Sequence, residues 1–224
     1  MTHIKDISKR PSQAEVAALS KFSPATIHEA QGRRGALSSR LKPVDYRMKL
    51  CGPAFTVKCA PRDNIMLQLA INYAKPGDII VVSAGEYEEA GSFGDVLANA
   101  CLAKAIGGLV TDTGVRDTLH LRELGFPVFS FSVCIKGTVK ETIAAVNDPI
   151  IVGGETINPG DIIVGDADGL VVVRREEALD VARLSQERDD AEAAYIEAYK
   201  QGKSVIEVSR LEPVLKAKGL IIDI

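Results

Sequence analysis

Tryptophan is absent and aromatic residues make up only 5% of the 224-residue chain, which leaves little material for the stacking platforms of single-stranded nucleic-acid binders. Neither sign of charge is in excess. The 27 basic and 30 acidic residues give a net charge of −3 and are spread along the chain, so no footprint for nucleic acid or an anionic membrane is visible. No apolar run approaches the roughly 20 residues that span a bilayer. The polar start MTHIKDISKRPSQ lacks the apolar centre of a signal peptide. The expectation is a cytoplasmic protein with no nucleic-acid and no membrane partner.

Cysteine and histidine are also scarce. Cys51, Cys59, Cys101 and Cys134 show no C-x-x-C spacing and stand in apolar or strand-like surroundings, which predicts buried free thiols rather than disulfides or zinc ligands. His3, His28 and His120 are far apart, and none pairs at i,i+4 or with a cysteine. A nitrogen-and-sulfur metal site is therefore not expected, and any metal ligands should be oxygen.

What the chain has is apolar material, 46% of its residues, enough to bury a sizeable core as one domain over residues 1–224. SPATIHEAQG offers Ser23 as an N-cap, Pro24 at the first helical position and Gly32 as a stop. CGPAFTVKCA reads as a strand, RDNIMLQLAINYAKPGD as a helix with Asp63 as its cap, and DIIVVSA as a buried strand. GDVLANACLAKAIGG, GLVTD, RDTLHLRELG and FPVFSFSV continue as helix, strand, helix and strand. That alternation predicts a parallel βαβ core with helices packed on the sheet.

After residue 135 short β runs broken by Gly, Pro and Asp predict an antiparallel or barrel-like part. PGDIIV occurs at both 76–81 and 159–164, each copy reading as a turn into a buried strand. From REEALDVARLSQERDD onward about 25 residues look helical and rich in i,i+4 charge pairs, a helix that either projects or packs on a neighbour. Weaker motifs take ordinary readings. DADG at 166–169 is a β-turn, GRRG at 32–35 a solvated loop with some capacity for an anionic substrate arm, and GSFGD lacks the pattern of a nucleotide loop.

The chemistry concentrates in GDVLANACLAKAIGGLVTDTGVRD. Asp95 opens one helix, and Arg116-Asp117 opens the next. In an open α/β sheet the loops leaving the carboxyl ends of strands form the ligand crevice, and helix N-termini there offer free N–H groups to an anion. Gly91 and Gly94 would let a ligand approach the backbone, and the amides of Val96 and Leu97 would be free donors. An aspartate in a first turn is often only a cap. A guanidinium there opposes the helix dipole unless a carboxylate, from ligand or protein, compensates it.

Asp95, twenty residues, then Arg116-Asp117 resembles the D-x20-R-D pattern of the 4-hydroxy-4-methyl-2-oxoglutarate / 4-carboxy-4-hydroxy-2-oxoadipate aldolases of the RraA-like family, which also holds regulators of ribonuclease activity. DNIMLQLAINYAKPGDIIVV, GGLVTDTGVRDTLHLRELGFPVF, PGDIIVGDADGLVVV and EVSRLEPVLKAKGL extend the resemblance over about residues 20–220. It implies an α/β fold of the swivelling β/β/α sandwich type, with a parallel βαβ core and a C-terminal helical segment, about 176–218, packing on a neighbouring subunit of a trimer or hexamer. It implies a pyruvate aldolase dependent on Mg²⁺ or Mn²⁺, with oxaloacetate decarboxylation as a side activity. Asp117 would be the metal ligand, Arg116 would hold the keto or carboxylate oxygen, and Asp95 would hold a water beside the metal. The Gly94, Asp95, Val96 and Leu97 backbone would cradle the pyruvyl carboxylate. An acid from the neighbour's C-terminal helix would complete the site, and ungapped alignment places Glu192 there, with Glu187, Asp189 and Asp190 close by. The regulators lack the acid at position 95, so Asp95 favours the enzyme. A 2-oxo acid decarboxylase as main activity would use the same site, and a methyltransferase is disfavoured by the missing glycine-rich nucleotide loop.

Overall fold

The computed structural model describes residues 4–221; His3 lies outside the described residues. Two short helices come first. Helix α1 (Gln13–Leu19) is opened by a Ser12–Glu15 capping box, and α2 (Pro24–Ala30) by the Ser23 side chain with Pro24 at its first position. Strand β1 (Lys42–Pro43) precedes the alternating part: β2 (Leu50–Lys58), α3 (Ile65–Tyr73), β3 (Ile79–Ser83), α4 (Asp95–Ala103), β4 (Gly108–Val115), α5 (Thr118–Leu124) and β5 (Val128–Val133). A ribbon of β6 (Ile150–Val152) and β7 (Glu155–Ile157) follows, then β8 (Ile162–Gly165), β9 (Leu170–Val173), the long α6 (Ala178–Lys200) and two short helices, α7 (Val205–Val208) and α8 (Glu212–Ala217).

One seven-stranded sheet has the order β1-β5-β4-β3-β2-β8-β9. Strands β2 to β5 are parallel to their neighbours within that run, while β8 and β9 add antiparallel strands beyond β2, as the two halves of the sequence predicted. Strand residues alternate between two cores, as the period of two requires. Ile80 and Val82 face Met66, Leu67 and Leu121 of α3 and α5, whereas Ile79 and Val81 face Ile150, Val152 and Ile157 of the ribbon. The layers are thus ribbon, sheet and helices. A third core joins Leu19, Ile27, Val181 and Ala182 of α1, α2 and α6 to Val171 and Val173 of β9.

The two PGD stretches fold as copies of one turn. Gly77 and Gly160 take φ of +83° and +88°, and the buried carboxylates of Asp78 and Asp161 accept the Lys75 and Asn158 amides at 2.8 Å each. Each then pairs with an arginine, Arg10 or Arg174, at 2.5 Å. DADG is the turn between β8 and β9, with the Asp166 N–H donating to Gly169 O. All four cysteines are free, and burial pushes the thiols of Cys59 and Cys101 up to about 12.

Helix α6 buries only Ala178, Val181, Ala182 and Ser185 in its first half, against α1 and α2. Its far half exposes Tyr195 and Ile196. No helix among the described residues is long and apolar enough to cross a membrane.

Candidate active site

Strand β4 runs three residues further than GLVTD indicated, through Gly114 and Val115. The carboxyl end of β4, from Asp112 on, is buried and carries a loop. Asp112, 1% exposed, accepts the Ala84 and Glu86 amides at 2.5 and 3.2 Å, and Thr113 donates its hydroxyl to Tyr87 O at 2.5 Å. Burial pushes the Asp112 carboxyl above its usual range, although the amide bonds oppose this. Gly114 must lack a side chain, since a Cβ would stand 2.7 Å from both Glu88 O and Ala90 O. The loop thus held passes Ser92 and Phe93 along β4, and the Arg116 N–H donates to Phe93 O at 2.8 Å.

This places the starts of α4 and α5 side by side. Asp117 is the N-cap residue of α5 in the left-handed region (φ 56°), and its carboxylate makes no capping bond. A non-glycine residue held there costs on the order of 1 kcal/mol, a strain carried at the residue the sequence singled out. Arg116 Nε lies 3.5 Å from Asp117 Oδ2. The carboxylate that compensates the guanidinium is therefore the protein's own neighbour. Asp95 is the first residue of α4; its Oδ2 lies 3.2 Å from His120 Nδ1 and its Oδ1 accepts the Val96 amide at 2.7 Å.

Three local expectations need correction. The Val96 amide is not free, because Asp95 takes it; among the described residues the Leu97 N–H has no protein acceptor. Gly91 and Gly94 serve the protein before any ligand. A Cβ at Gly91 would lie 2.3 Å from Cys134 O and 3.2 Å from Arg116 carbons, and one at Gly94 would lie 2.1 Å from Asp117 Oδ2. Asp63 is not the N-cap residue of α3. Asn64 holds that position without a side-chain capping bond, while Asp63 accepts the Ile65 amide at 2.9 Å.

Gly94, Val96, Leu97, Arg116 and Asp117 line one cavity of about 340 Å³. Its other wall comes from Asn64 and Gln68 at the start of α3 and from Thr138 and Lys140 in the 134–149 connection. Sequence reading missed these, and it missed His120 as the partner of Asp95. His120 stands three residues after Asp117 in the first turn of α5, a spacing that was legible; Lys140 sits in a stretch with no periodicity to mark it. Arg33 and Arg34 do not reach this cavity. They pair with Glu29 and Glu177 beside a different hollow.

Glu192 is not brought to Asp117 within one chain. Its carboxylate pairs with Arg188 at 2.9 Å on α6, which packs at the β8–β9 end of the sheet, whereas Asp117 follows β4. Among the described residues no three His, Cys, Asp or Glu side chains converge. Asp117 nevertheless suits a hard cation: its carboxylate is not used in capping, and it stands in the space left by the missing Gly94 side chain.

The fold and site define a mixed α/β protein with its candidate centre at the carboxyl ends of parallel strands, where such sheets place ligands. Residues 15–172 match the RraA-like family, described as Aldolase/RraA, and the chain belongs to that family. A relative from Halalkalibacterium halodurans, provisionally named a 4-hydroxy-4-methyl-2-oxoglutarate aldolase, is 36% identical over 186 residues, 80% of this chain and 89% of the relative. An uncharacterised protein from Pseudomonas syringae superposes with a TM-score of 0.82 at 26% identity, over 90% of this chain and 95% of that one. RraAS2 of Streptomyces coelicolor, described as an unusual member of the RNase ES inhibitor RraA protein family, superposes with a TM-score of 0.73 at 30% identity, over 82% and 97%. The swivelling β/β/α architecture expected from the sequence is thus the fold of this chain.

Proposed function

We propose that this chain is a divalent-metal pyruvate aldolase that cleaves 4-hydroxy-4-methyl-2-oxoglutarate or 4-carboxy-4-hydroxy-2-oxoadipate, with oxaloacetate decarboxylation as a side activity. The observation that carries the reading is that Arg116 and Asp117 line one cavity together with the start of α4, the helix that Asp95 opens. The similarity to the Halalkalibacterium protein supports it. Asp117 would hold Mg²⁺ or Mn²⁺, with solvent and the 2-oxo acid supplying the other oxygens. A bound metal supplies a Lewis acid that polarises the 2-oxo group.

The chain's own residues do the rest. The Leu97 N–H, at the positive end of α4, receives the pyruvyl carboxylate within the cradle formed by Gly94, Asp95, Val96 and Leu97. Breaking the carbon–carbon bond beta to the ketone leaves pyruvate as its enolate, and the Arg116 guanidinium balances the negative charge that grows on that oxygen. Asp95, steadied by His120, orders the water through which the 4-hydroxyl proton leaves. Loss of carbon dioxide from oxaloacetate yields the same enolate, so one arrangement serves both reactions. Glu192 of a neighbouring subunit in a trimer or hexamer would complete the acid–base set. We assign residues 1–224 to a single domain, and the exposed far half of α6 supports that assembly.

A protein-binding regulator is the rival reading, favoured by the RraAS2 likeness, and a 2-oxo acid decarboxylase is the alternative enzyme. Pyruvate release should be measured from a panel of 4-hydroxy-2-oxo acids and oxaloacetate, with chelator and with restored Mg²⁺ or Mn²⁺. Metal-dependent release from the hydroxy acids is expected. Release only from oxaloacetate would make it a decarboxylase, no release would leave the regulator, and full activity in chelator with a borohydride-trapped lysine adduct would exclude the metal mechanism.

A further inference from the structure

The cavity beside Arg116 and Asp117 has a second cationic wall, built by chain that forms neither helix nor strand. Residues 136–142 are nonetheless fixed. The Gly91 N–H donates to Lys136 O at 2.7 Å, the Val139 N–H to Arg62 O at 2.8 Å, and the Asn64 N–H to Val139 O at 3.2 Å. At the centre stands Asp63, 3% exposed. Its Oδ1 accepts the Ile65 amide at 2.9 Å, and its Oδ2 accepts the Glu141 and Thr142 amides at 2.8 and 2.7 Å. One carboxylate therefore ties the start of α3, which lends Asn64 and Gln68 to the cavity, to the segment that lends it Thr138 and Lys140. Amide bonds to an ionised carboxylate are charge-assisted, so this junction is stiff.

The donors on this wall are not equal. Asn64 Nδ2 donates to Ser92 O at 2.9 Å and Gln68 Nε2 to Asn64 Oδ1 at 3.1 Å, so both amides are engaged within the protein. Lys140 has no carboxylate partner among the described residues, whereas Arg116 already faces Asp117. The cavity thus presents one cation compensated by the protein and one left for a ligand. Its volume of about 340 Å³ lies in the range that small ligands fill.

We propose that Lys140 is the specificity-determining cation of this site, taking the second carboxylate of a 2-oxo diacid whose pyruvyl end lies at Arg116 and α4, and that Asp63 is the positioning residue that holds the Lys140 segment in place. The orientation of the ligand rests on the aldolase reading; the existence of a dianion site does not. A 2-oxo monoacid meets only the first cation, and a 2-oxo diacid meets both.

Calorimetric titration of the full-length protein in Mg²⁺ buffer with pyruvate and with 2-oxoglutarate separates the two. Lys140→Met, at an exposed side chain, should weaken 2-oxoglutarate by about tenfold or more and leave pyruvate within about twofold, the scale of one charge-assisted contact. Asp63→Asn should show the same selective loss, which a general loosening of the fold would not produce. The proposal is overturned if the wild type fails to bind the diacid, or if Lys140→Met weakens both ligands alike or neither. Equal weakening by Asp63→Asn removes Asp63 from the role of positioning residue. Aldol cleavage is scored separately: selective diacid binding without cleavage sinks the aldolase reading and leaves the dianion site standing.

Discussion

Asp117 Oδ2 occupies the space that a side chain at residue 94 would need, because a Cβ built on Gly94 would stand 2.1 Å from it. The backbone at Gly94 is extended (φ −152°, ψ −168°), a conformation any residue adopts. The glycine is therefore required by the approach of Asp117 and not by a turn.

Gly94→Ala should in consequence keep the fold and displace the Asp117 carboxylate. A shift of about 1 Å at a reacting centre costs roughly a hundredfold in rate, so kcat/KM for pyruvate release should fall by about that factor while circular dichroism stays unchanged. Undiminished turnover would show that Asp117 is not needed where it stands.

Arg116 gives the second prediction. Its guanidinium approaches Asp117 Oδ2 through Nε at 3.5 Å, and its side chain is about half exposed to the cavity side. Lysine keeps the charge but not the planar fork. Arg116→Lys should retain the melting temperature to within a few degrees and lose roughly two orders of magnitude in kcat. A folded variant with normal kcat would return Arg116 to a structural role.

How much of this was legible in the sequence depends on whether the signal was local. Ser23-Pro24 and the stop at Gly32 bracketed α2 because capping and proline geometry act within a few residues. The βαβ order followed from apolar periodicity. Strand β4 was read short, ending at Asp112, because Thr113 and Gly114 look like a loop; the burial of Asp112 and Thr113 depends on partners at 84–87, more than twenty residues earlier. The D-x20-R-D spacing gave Asp95, Arg116 and Asp117, yet what Gly91 and Gly94 make room for showed only once Arg116 and Asp117 had a place in space. Lys140 was invisible for the same reason, since the clamp that fixes it joins Asp63 to amides 78 and 79 residues away.

On the proposed reading, Asp95 is the residue that separates the enzyme from the regulator. Its carboxylate bonds both its neighbour's amide and His120, so a purely capping role and a chemical role make different demands. Asp95→Ala should remove most pyruvate release from hydroxy acids and oxaloacetate alike while leaving the oligomer intact on gel filtration. If only the melting temperature falls, Asp95 is a cap.

The pH dependence of stability should carry the mark of Asp63. Its three amide bonds hold the carboxyl below the ordinary 3.8 despite burial. A group whose folded pKa is depressed contributes stability that is complete above its unfolded value and lost as pH falls through the folded one. Urea melts of wild type and Asp63→Asn should therefore differ by about 2 kcal/mol near pH 7, the scale of bonds to a charged acceptor. They should converge as the pH drops below about 4, toward full protonation of Asp63. A gap that stays constant down to pH 2 would show that the Asp63 charge is not what holds the 139–142 segment.

The last prediction concerns the assembly. Glu192 lies on the exposed half of α6, and Asp117 lies beyond β4, where Asp95 is the acid that opens the adjoining helix. If Glu192 completes a neighbour's site, Asp117→Ala and Glu192→Ala proteins should each be nearly inactive alone. Unfolded together and reassembled as head-to-tail rings, the two variants would give about a quarter of sites with both residues intact, drawn from different chains. Roughly a quarter of wild-type activity should then return, measured beside native mass spectrometry that confirms mixed rings. Mixed rings without activity would place Glu192 outside the neighbour's site and turn the search to Glu187, Asp189 and Asp190 on the same helix.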